Sequence, residues 1–129
     1  MAEKLQFSLV SPERELFSGE VDQVDVPGTE GDFGVLANHA PFMAAIRTGA
    51  ITVHNDNENT QYMIRGGFAD VTPDGLTILA EQAKPIGEVT SDFLQHEIEE
   101  AKIALEAAEG DAKEEAAQHL AGLETLRGH

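Results

Sequence analysis

The segment VPGTEGDFGVLANHAP, residues 26–41, is the most informative part of the chain for both fold and function. It carries glycines at every third position with two carboxylates between them, at Gly28, Glu30, Gly31, Asp32 and Gly34. Glycine is favoured where the backbone takes a positive φ or approaches another group closely. The spacing therefore predicts a shaped, exposed acidic loop, and such a loop is suited to contact with another molecule.

On both sides of this loop, short apolar runs have the period of half-buried β-strands. Leu5, Phe7 and Leu9 alternate with polar residues, and a strand-like run at 21–26 leads into the loop. Further runs occur at residues 51–53, 62–64 and 76–78. They are separated by turn residues at intervals of about eight to twelve positions, which is typical of an all-β domain. Residues 1–86 are therefore predicted to form an antiparallel β-sandwich.

After residue 86 the apolar period changes to the three- and four-residue steps of an amphipathic helix. The first seam consists of Leu94, Ile98, Ala101, Leu105 and Ala108, and the second of Ala112, Ala116, Leu120, Leu123 and Leu126. Because each helix has one apolar seam, we expect the two seams to be buried only against each other. Residues 87–129 are therefore predicted to form an antiparallel two-helix hairpin, and the fold class is α+β, mainly β.

The ends of the predicted helices carry capping residues. Thr90 or Ser91 can cap the first helix, and Gly110 lies where a left-handed C-terminal stop is expected. Asp111 and Glu114 have the spacing of a capping box for the second helix. The chain is thus predicted to turn between its two helices at Gly110.

The charge of the chain argues against several classes of function. Its 129 residues include 24 acidic and 8 basic side chains, for a net charge of −16. Nucleic acids and anionic membrane surfaces would repel such a chain. No apolar run approaches the ~18 residues of a membrane-spanning helix. We therefore expect a soluble protein without direct membrane insertion, whose association with a membrane depends on other proteins.

The sequence does not place the residues of a catalytic, nucleotide or metal site together. The glycine-rich segment lacks the spacing of a phosphate-binding loop, and Glu30 and Asp32 would repel a phosphate. The EF-hand spacing is absent as well, and the chain has no cysteine. His39 lacks a sequence-placed nucleophile or acid partner, so a structural or interface role is favoured over general-base catalysis. Gly66 and Gly67 predict a bulge or a close approach of two strands.

The combination of several motifs identifies a family. They are Phe17-Ser18-Gly19, GTEGDFGV at 28–35, His39-Ala40-Pro41, Ile46 with Gly49, Gly66-Gly67-Phe68, and Leu79-Ala80. In this order and spacing, the chain resembles the epsilon-subunit family of the F-type ATP synthase over essentially its whole length. The resemblance implies a β-sandwich followed by a helical hairpin. It also implies a non-catalytic subunit of the central rotor, without a cofactor, at the cytoplasmic face of a bacterial inner membrane.

The resemblance assigns roles to particular residues. In that family the sandwich joins the gamma subunit to the c-ring and couples proton flow to ATP synthesis. Carried over, Glu30, Gly31 and Asp32 face the c-ring, and His39 and Pro41 face gamma. Four further positions are expected to be structural glycines, and they are Gly28, Gly34, Gly66 and Gly67. The resemblance also implies that the helical hairpin can contact the catalytic alpha and beta subunits.

The helical hairpin departs from the family pattern in two respects. Members that bind ATP there carry Asp-x-x-Arg-Ala near the start of the first helix, whereas this chain has Asp92-Phe93-Leu94-Gln95-His96. We therefore expect no ATP binding. Inhibition in the family is attributed to a basic face of the extended hairpin, but residues 87–129 carry 11 acidic and 3 basic side chains. Inhibition of ATP hydrolysis by this hairpin is accordingly expected to be weak or absent.

Two other classes of function are open on sequence alone. A small-molecule-binding β-sandwich, such as a carbohydrate module, would combine with an unrelated helical tail. That class usually exposes aromatic residues on one sheet face, and this chain has one Tyr and no Trp. An enzyme is the third class, and it would need a nucleophile–base pair that the sequence does not supply.

Overall fold

The computed structural model describes residues 4–38 and 40–127, and in this part of the chain eight strands precede two helices. The strands are β1 Leu5–Val10, β2 Glu15–Val21, β3 Gln23–Gly28, β4 Gly31–Val35, β5 Phe42–Ile46, β6 Gly49–Asn55, β7 Glu58–Thr72 and β8 Gly75–Pro85. A 3-10 turn, Ile86–Glu88, leads to the helices α1 Ser91–Ala107 and α2 Asp111–Arg127. The predicted fold class, mainly β with a C-terminal helical hairpin, is confirmed.

The strands pair in the order β2-β1-β8-β7-β5-β3-β4, and β6 pairs with both β3 and β7. Strand β7 is 15 residues long and organises the sheet. Its first half pairs with β6 and its second half with β5, while β8 pairs along most of its other edge. Because two strands share one edge of β7, the sheet folds over on itself and encloses a core.

One pair of strands differs from the antiparallel prediction. Strands β1 and β8 run parallel, with Phe7 opposite Leu76 and Val10 opposite Leu79. The turn residues in the sequence constrain only strands that follow each other directly, and those pairs are antiparallel. Strands β1 and β8 are joined through the rest of the sandwich, so no short turn fixes their relative direction.

The sandwich and the helices have separate apolar clusters. In the sandwich, the inward residues follow the predicted alternation, and Phe7, Leu9 and Ile64 are completely buried. The second cluster lies between the helices and one outer face of the sandwich. It consists of Met63, Leu94, Ile98, Ala101, Leu123 and Leu126, with Ala50 and Leu120 packed against it.

The second cluster corrects the prediction that the helical seams are buried only against each other. Met63 in β7 and Ala50 in β6 both belong to it, because neighbouring residues of a strand point to opposite faces. Their neighbours Ile64 and Ile51 point into the sandwich core. The helices therefore cover one face of the sandwich, and burial is concentrated at the base of the helical hairpin. Ala112, near the other end, is exposed.

The N-cap of α1 agrees with the prediction from the sequence, whereas the end of α1 and the turn to α2 differ from it. The side chain of Thr90 accepts a hydrogen bond of 3.0 Å from the backbone N–H of Phe93, as an N-cap does. Helix α1 ends at Ala107, because Ala108 is already extended. Gly110 has a φ of +62°, and its carbonyl accepts a hydrogen bond from the Lys113 N–H. Gly110 therefore has the predicted left-handed conformation between the two helices, but it directly precedes α2 and does not terminate α1.

The predicted capping box at the start of α2 is not in register with the structure. Asp111 is the first residue of the helix, one position later than an N-cap residue would be. Asp111 and Glu114 both lie in the first turn, where a negative charge interacts favourably with the helix dipole. The acidic start of α2 is thus accounted for by electrostatics and not by a capping box.

Candidate functional site

The acidic glycine-rich segment is a tight β-hairpin and not the loop that the sequence predicted. Strands β3 and β4 pair from Val24 opposite Val35 to Gly28 opposite Gly31. Only Thr29 and Glu30 lie between the last paired residues. A Cβ atom on Gly28 would collide with the carbonyl oxygen of Gly31, so the close approach of the two strands requires glycine at this position.

We use the term β-hairpin tip for residues 29–32, all of which are exposed. Two backbone hydrogen bonds connect the hairpin to β5 and the residue after it. The Thr29 N–H donates to the Ala45 carbonyl at 3.0 Å, and the Arg47 N–H donates to the Pro27 carbonyl at 2.9 Å. The guanidinium of Arg47 also forms an ion pair with Asp32. The tip is therefore held against the sandwich, and Glu30 projects at its end.

The other predicted contact segment lies between β4 and β5. Pro41 is exposed and directly precedes β5, while His39 lies outside the described residues. Asn38 has a φ of +64°, a conformation that asparagine adopts more readily than most residues. Pro41 leads into β5 at the edge of an exposed apolar surface.

That surface is formed by Met43, Phe68 and Leu79, and we call it the apolar row. The three side chains are 66%, 54% and 54% exposed. They lie on the adjacent strands β5, β7 and β8, where Phe68 is directly opposite Leu79. Isolated exposed apolar residues are common, but neighbours on three adjacent strands form a patch of the kind that marks a binding surface.

Sequence reasoning missed the apolar row as a functional surface. It used Phe68 and Leu79 only as part of the family resemblance. The two-residue alternation of β7 contained a signal. Ala69 and Val71 are buried on one face of the strand, so Phe68 lies on the opposite face and is exposed. The sequence pattern does not by itself show which of the two faces is covered.

Gly66 and Gly67 lie in β7 where its pairing changes from β6 to β5. Both have positive φ values, +68° and +126°. A Cβ atom on Gly67 would collide with the carbonyl oxygen of Leu79 in the adjacent strand. The register with β8 continues without a shift from Arg65 to Gly67, so this is a close approach of strands and not a bulge. The bend directs the following residue, Phe68, outward.

A second contact region joins α2 to the sandwich at the turn between β5 and β6. We call Thr48, His119 and Gly122 the α2 docking contact. Thr48 is 4% exposed, and its hydroxyl shares a hydrogen bond with Nδ1 of His119. Gly122 lies against the Thr48 carbonyl so closely that a Cβ atom would collide with it. One turn earlier in α2, Gln118 Nε2 donates to the Thr29 carbonyl at 3.0 Å. Helix α2 therefore also contacts the β-hairpin tip.

Two histidines have opposite electrostatic environments. His54 Nε2 lies 2.7 Å from Asp25 Oδ2, and this hydrogen bond, with a second one to Asn59, raises the pKa of His54 above its ordinary value. Partial burial between α2 and the sandwich is the main cause that lowers the pKa of His119, and the nearby Arg65 lowers it further. His119 is thus the histidine whose neutral form is favoured by the docked position of α2.

The described residues present features that are suited to contact with another molecule. Among the described residues, no three His, Cys, Asp or Glu side chains are grouped so that they could hold a metal ion. Within residues 4–38 and 40–127, neither helix is both long and apolar enough to cross a membrane. The distinctive features are a rigid acidic tip, an exposed apolar row and a helix docked over one face.

Comparison with known proteins identifies the relatives of this chain. Residues 4–86 match the family model of the β-sandwich domain of the ATP synthase delta/epsilon chain. The ATP synthase epsilon chain of Maricaulis maris is 53% identical over 93% of this chain and 90% of its own length. That of Hyphomonas neptunium is 52% identical over 98% of this chain and 96% of its own length.

Solved structures with the same fold include a chain of the Euglena gracilis mitochondrial ATP synthase. It superposes with a TM-score of 0.78 at 23% identity, over 97% of this chain and 80% of that chain. A chain of the Tetrahymena thermophila mitochondrial ATP synthase central stalk and c-ring superposes with a TM-score of 0.60 at 14% identity, over 70% of this chain and 73% of that chain. At these identities, the two structures support the fold.

Proposed function

Because this chain belongs to the ATP synthase epsilon-chain family, we propose that it is a non-catalytic subunit of the central stalk of a bacterial F-type ATP synthase. In this role it joins the gamma subunit to the c-ring, so that proton flow through the ring drives rotation of gamma and ATP synthesis. The chain is then a peripheral component on the cytoplasmic side of the inner membrane. Its contribution is mechanical, and the catalytic residues belong to other subunits.

The observation that carries this proposal is the apolar row. Met43, Phe68 and Leu79 expose more than half of their side-chain surface on three adjacent strands. A partner that covers such a surface forms a more stable complex, because burial contributes roughly 25 cal/mol per Å² of apolar area to the free energy of binding. Pro41 directly precedes β5 and lies two residues before Met43. We assign the apolar row and the segment containing His39 and Pro41 to contact with gamma.

We assign the β-hairpin tip, with Glu30, Gly31 and Asp32, to contact with the c-ring. The backbone hydrogen bonds from the hairpin to β5 support a rigid contact that can transmit force. Asp32 forms an ion pair with Arg47, and Glu30 is the carboxylate at the end of the turn. Paired charges across a protein contact fix orientation and accelerate association more than they increase affinity. Glu30 is therefore suited to orient the tip against basic groups of the ring.

The two parts of the chain have different roles in this proposal. Residues 1–86 form the unit that transmits rotation, and residues 87–129 form a helical unit that can contact the alpha and beta subunits. The basic residues of α2, Lys113 and Arg127, are outnumbered by Asp111, Glu114, Glu115 and Glu124. Such a surface would be repelled by acidic elements of the catalytic subunits. We therefore propose that inhibition of ATP hydrolysis by this unit is weak or absent. Because residues 92–96 lack the Asp-x-x-Arg-Ala motif, we also propose that the unit does not bind ATP.

The alternative of a small-molecule-binding sandwich is not favoured. Relatives that align with 52–53% identity over more than nine-tenths of this chain are ATP synthase epsilon chains. The one strongly exposed aromatic residue among the large apolar side chains of the described region is Phe68. It is accompanied by the aliphatic side chains Met43 and Leu79, which suit a protein surface better than a sugar ring.

A binding experiment with two matched variants tests the assignment of the apolar row. Phe68→Glu introduces a charge into the row, whereas Ile103→Glu introduces the same charge at a residue of α1 that is 63% exposed and lies outside the row. Affinity for purified gamma is measured by titration calorimetry. Because a buried unpaired carboxylate carries a large desolvation penalty, we expect Phe68→Glu to weaken binding by about a hundredfold or more.

Ile103→Glu is the control and is expected to change the affinity by less than about threefold, as for a surface change outside the contact. Equal affinity of the Phe68→Glu variant and the unchanged chain would contradict the assignment of the row. If the unchanged chain itself failed to bind gamma, the proposed function would be wrong.

A further inference from the structure

The contact between α2 and the sandwich has a titratable group at its centre. His119 lies in α2 at the point where the helix contacts Thr48, which is one of only two buried polar residues in the described part of the chain. Its Nδ1 shares a hydrogen bond with the Thr48 hydroxyl. Gly122, one turn later, packs against the carbonyl of the same residue. A change in the charge of His119 therefore acts directly on the surface that holds α2 in place.

The two apolar clusters permit α2 to leave without unfolding the sandwich. The sandwich core contains no residue of the helices, and the helical cluster takes only Met63, Ala50 and the residues of the connecting segment from outside α1 and α2. Toward its N-terminal end, α2 offers little apolar area, because Ala112 is exposed and Ala116 is half-buried. The docked position thus depends on the C-terminal part of α2, where Leu123 and Leu126 enter the helical cluster, and on the contact between Thr48 and His119.

We propose that the α2 docking contact is pH-sensitive, and that uptake of one proton by His119 shifts the chain from a docked to a released position of α2. The geometry explains the direction of the effect. The docked imidazole is partly removed from water, and burial disfavours its charged form. On release, the ring becomes hydrated and can take up a proton near its ordinary pKa.

Charged groups from several elements face His119, and some of them raise its pKa while others lower it. Arg65 in β7 disfavours the imidazolium, whereas Glu81 in β8 and Glu97 in α1 favour it. Arg47, before Thr48, and Glu115 in α2 line the same groove between α2 and the sandwich. Burial is the largest influence, so the pKa of His119 is lowered in the docked position. Docking is then fully stabilised above pH 6.5, the ordinary value, and weakens as the pH falls through the interval below it.

The experiment uses the full chain and does not depend on gamma or the c-ring. The chain has no cysteine, so spin labels can be attached at Ala117→Cys in α2 and Thr60→Cys in β7, both exposed positions outside the docking contact. The distribution of distances between the labels gives the ratio of released to docked α2. For a single proton this ratio can change at most tenfold per pH unit. We expect it to rise at least about threefold between pH 7.5 and pH 5.5, a range in which most carboxylates remain ionised.

Two matched variants separate His119 from the other titrating groups. His119→Gln retains a hydrogen-bonding side chain without a proton equilibrium, and its ratio is expected to change less than twofold. His96→Gln removes an exposed histidine of α1 and is expected to behave like the unchanged chain. Both variants retain His54, so an undiminished pH response in His119→Gln would assign the response to another group and overturn the proposal.

A second measurement on the unchanged chain holds even if His119→Gln does not fold. The His119 imidazole is titrated by NMR, and the amide signals of Thr48 and Gly122 are followed in the same samples. We expect His119 to titrate below pH 6.5, its ordinary value, with the two amide signals changing in the same step. Titration at or above that value, or a label distance that is independent of pH, would contradict the proposal.

Discussion

Gly66 and Gly67 allow β7 to pair with two different strands along one edge. Their φ values of +68° and +126° lie in the region that residues with a side chain rarely adopt. The bend at these residues separates the part of β7 that pairs with β6 from the part that pairs with β5. It also precedes Phe68, the central residue of the apolar row. The residues that need glycine for the backbone are therefore directly adjacent to a residue of the proposed contact with gamma.

The substitution Gly67→Ala tests this backbone requirement. A Cβ atom would be strained by the positive φ and would collide with the Leu79 carbonyl, so the main chain of two strands must shift. Strain of this kind costs about 1–3 kcal/mol, and overpacking adds a similar amount. We expect the free energy of unfolding to fall by at least about 2 kcal/mol, as measured by urea denaturation.

Gly87→Ala is the matched control for this substitution. A Cβ atom on Gly87 would meet nothing within 4 Å. We expect its effect to stay within about 0.5 kcal/mol, as is usual for an exposed position. If Gly67→Ala and Gly87→Ala had the same effect on the free energy of unfolding, the close approach at Gly67 would not be a requirement of the fold.

At the scale of single residues, local chemistry was predictable and distant contacts were not. Thr90 was correctly expected as a possible cap, because an N-cap bonds to a residue three positions away. His119 carried no signal, since its partner Thr48 is 71 positions distant in the sequence. The same holds for the Asp32–Arg47 ion pair and for the contact of Gly122 with Thr48. Sequence spacing does not encode which surfaces a docked helix covers.

At the scale of elements, the periods of the sequence predicted the type of each segment but not all of their partners. Two-residue alternation and the change to helical steps after residue 86 indicated strands and then two helices. The parallel pairing of β1 with β8 and the docking of α2 on β6 could not be predicted, because both depend on how the whole sandwich closes. The acidic segment was predicted as a loop because its glycines resemble turn residues, although Gly28, Gly31 and Gly34 all lie in paired strands.

A substitution in helix α2 provides a test in which helix propensity favours higher stability and packing favours lower stability. Gly122→Ala should stabilise an isolated helix by about 1 kcal/mol. In this chain the new Cβ atom would collide with the Thr48 carbonyl, and overpacking costs about 1–3 kcal/mol. We expect a net loss of stability, seen as release of α2 at a lower urea concentration, with far-UV circular dichroism and NMR signals of α2 as the measurements.

The control for this test is Ala121→Gly, at the exposed neighbouring position. It should destabilise α2 by about 1 kcal/mol through propensity alone. An increase in stability on Gly122→Ala would mean that α2 is not seated on Thr48 as the structure describes. It would also remove the geometric basis of the pH-sensitive docking contact.

At the scale of the whole molecule, the chain combines a rigid sandwich with a helical unit that is attached by fewer contacts. Proton translocation supplies about 2.3 kcal/mol per charge for each 100 mV, so a subunit that transmits rotation must resist deformation. A closed set of paired strands, with two proposed contact surfaces, meets this requirement. The net charge of −16 is consistent with a protein that meets basic groups of partners and does not bind nucleic acid.

The measurement that tests this account most directly is proton-driven ATP synthesis in membrane vesicles whose ATP synthase lacks the chain. We predict that synthesis falls to background and is restored by the unchanged chain and by Ile103→Glu, while Phe68→Glu restores little of it. Undiminished ATP synthesis without the chain, or full restoration by Phe68→Glu, would contradict the claim that this chain connects the gamma subunit to the c-ring.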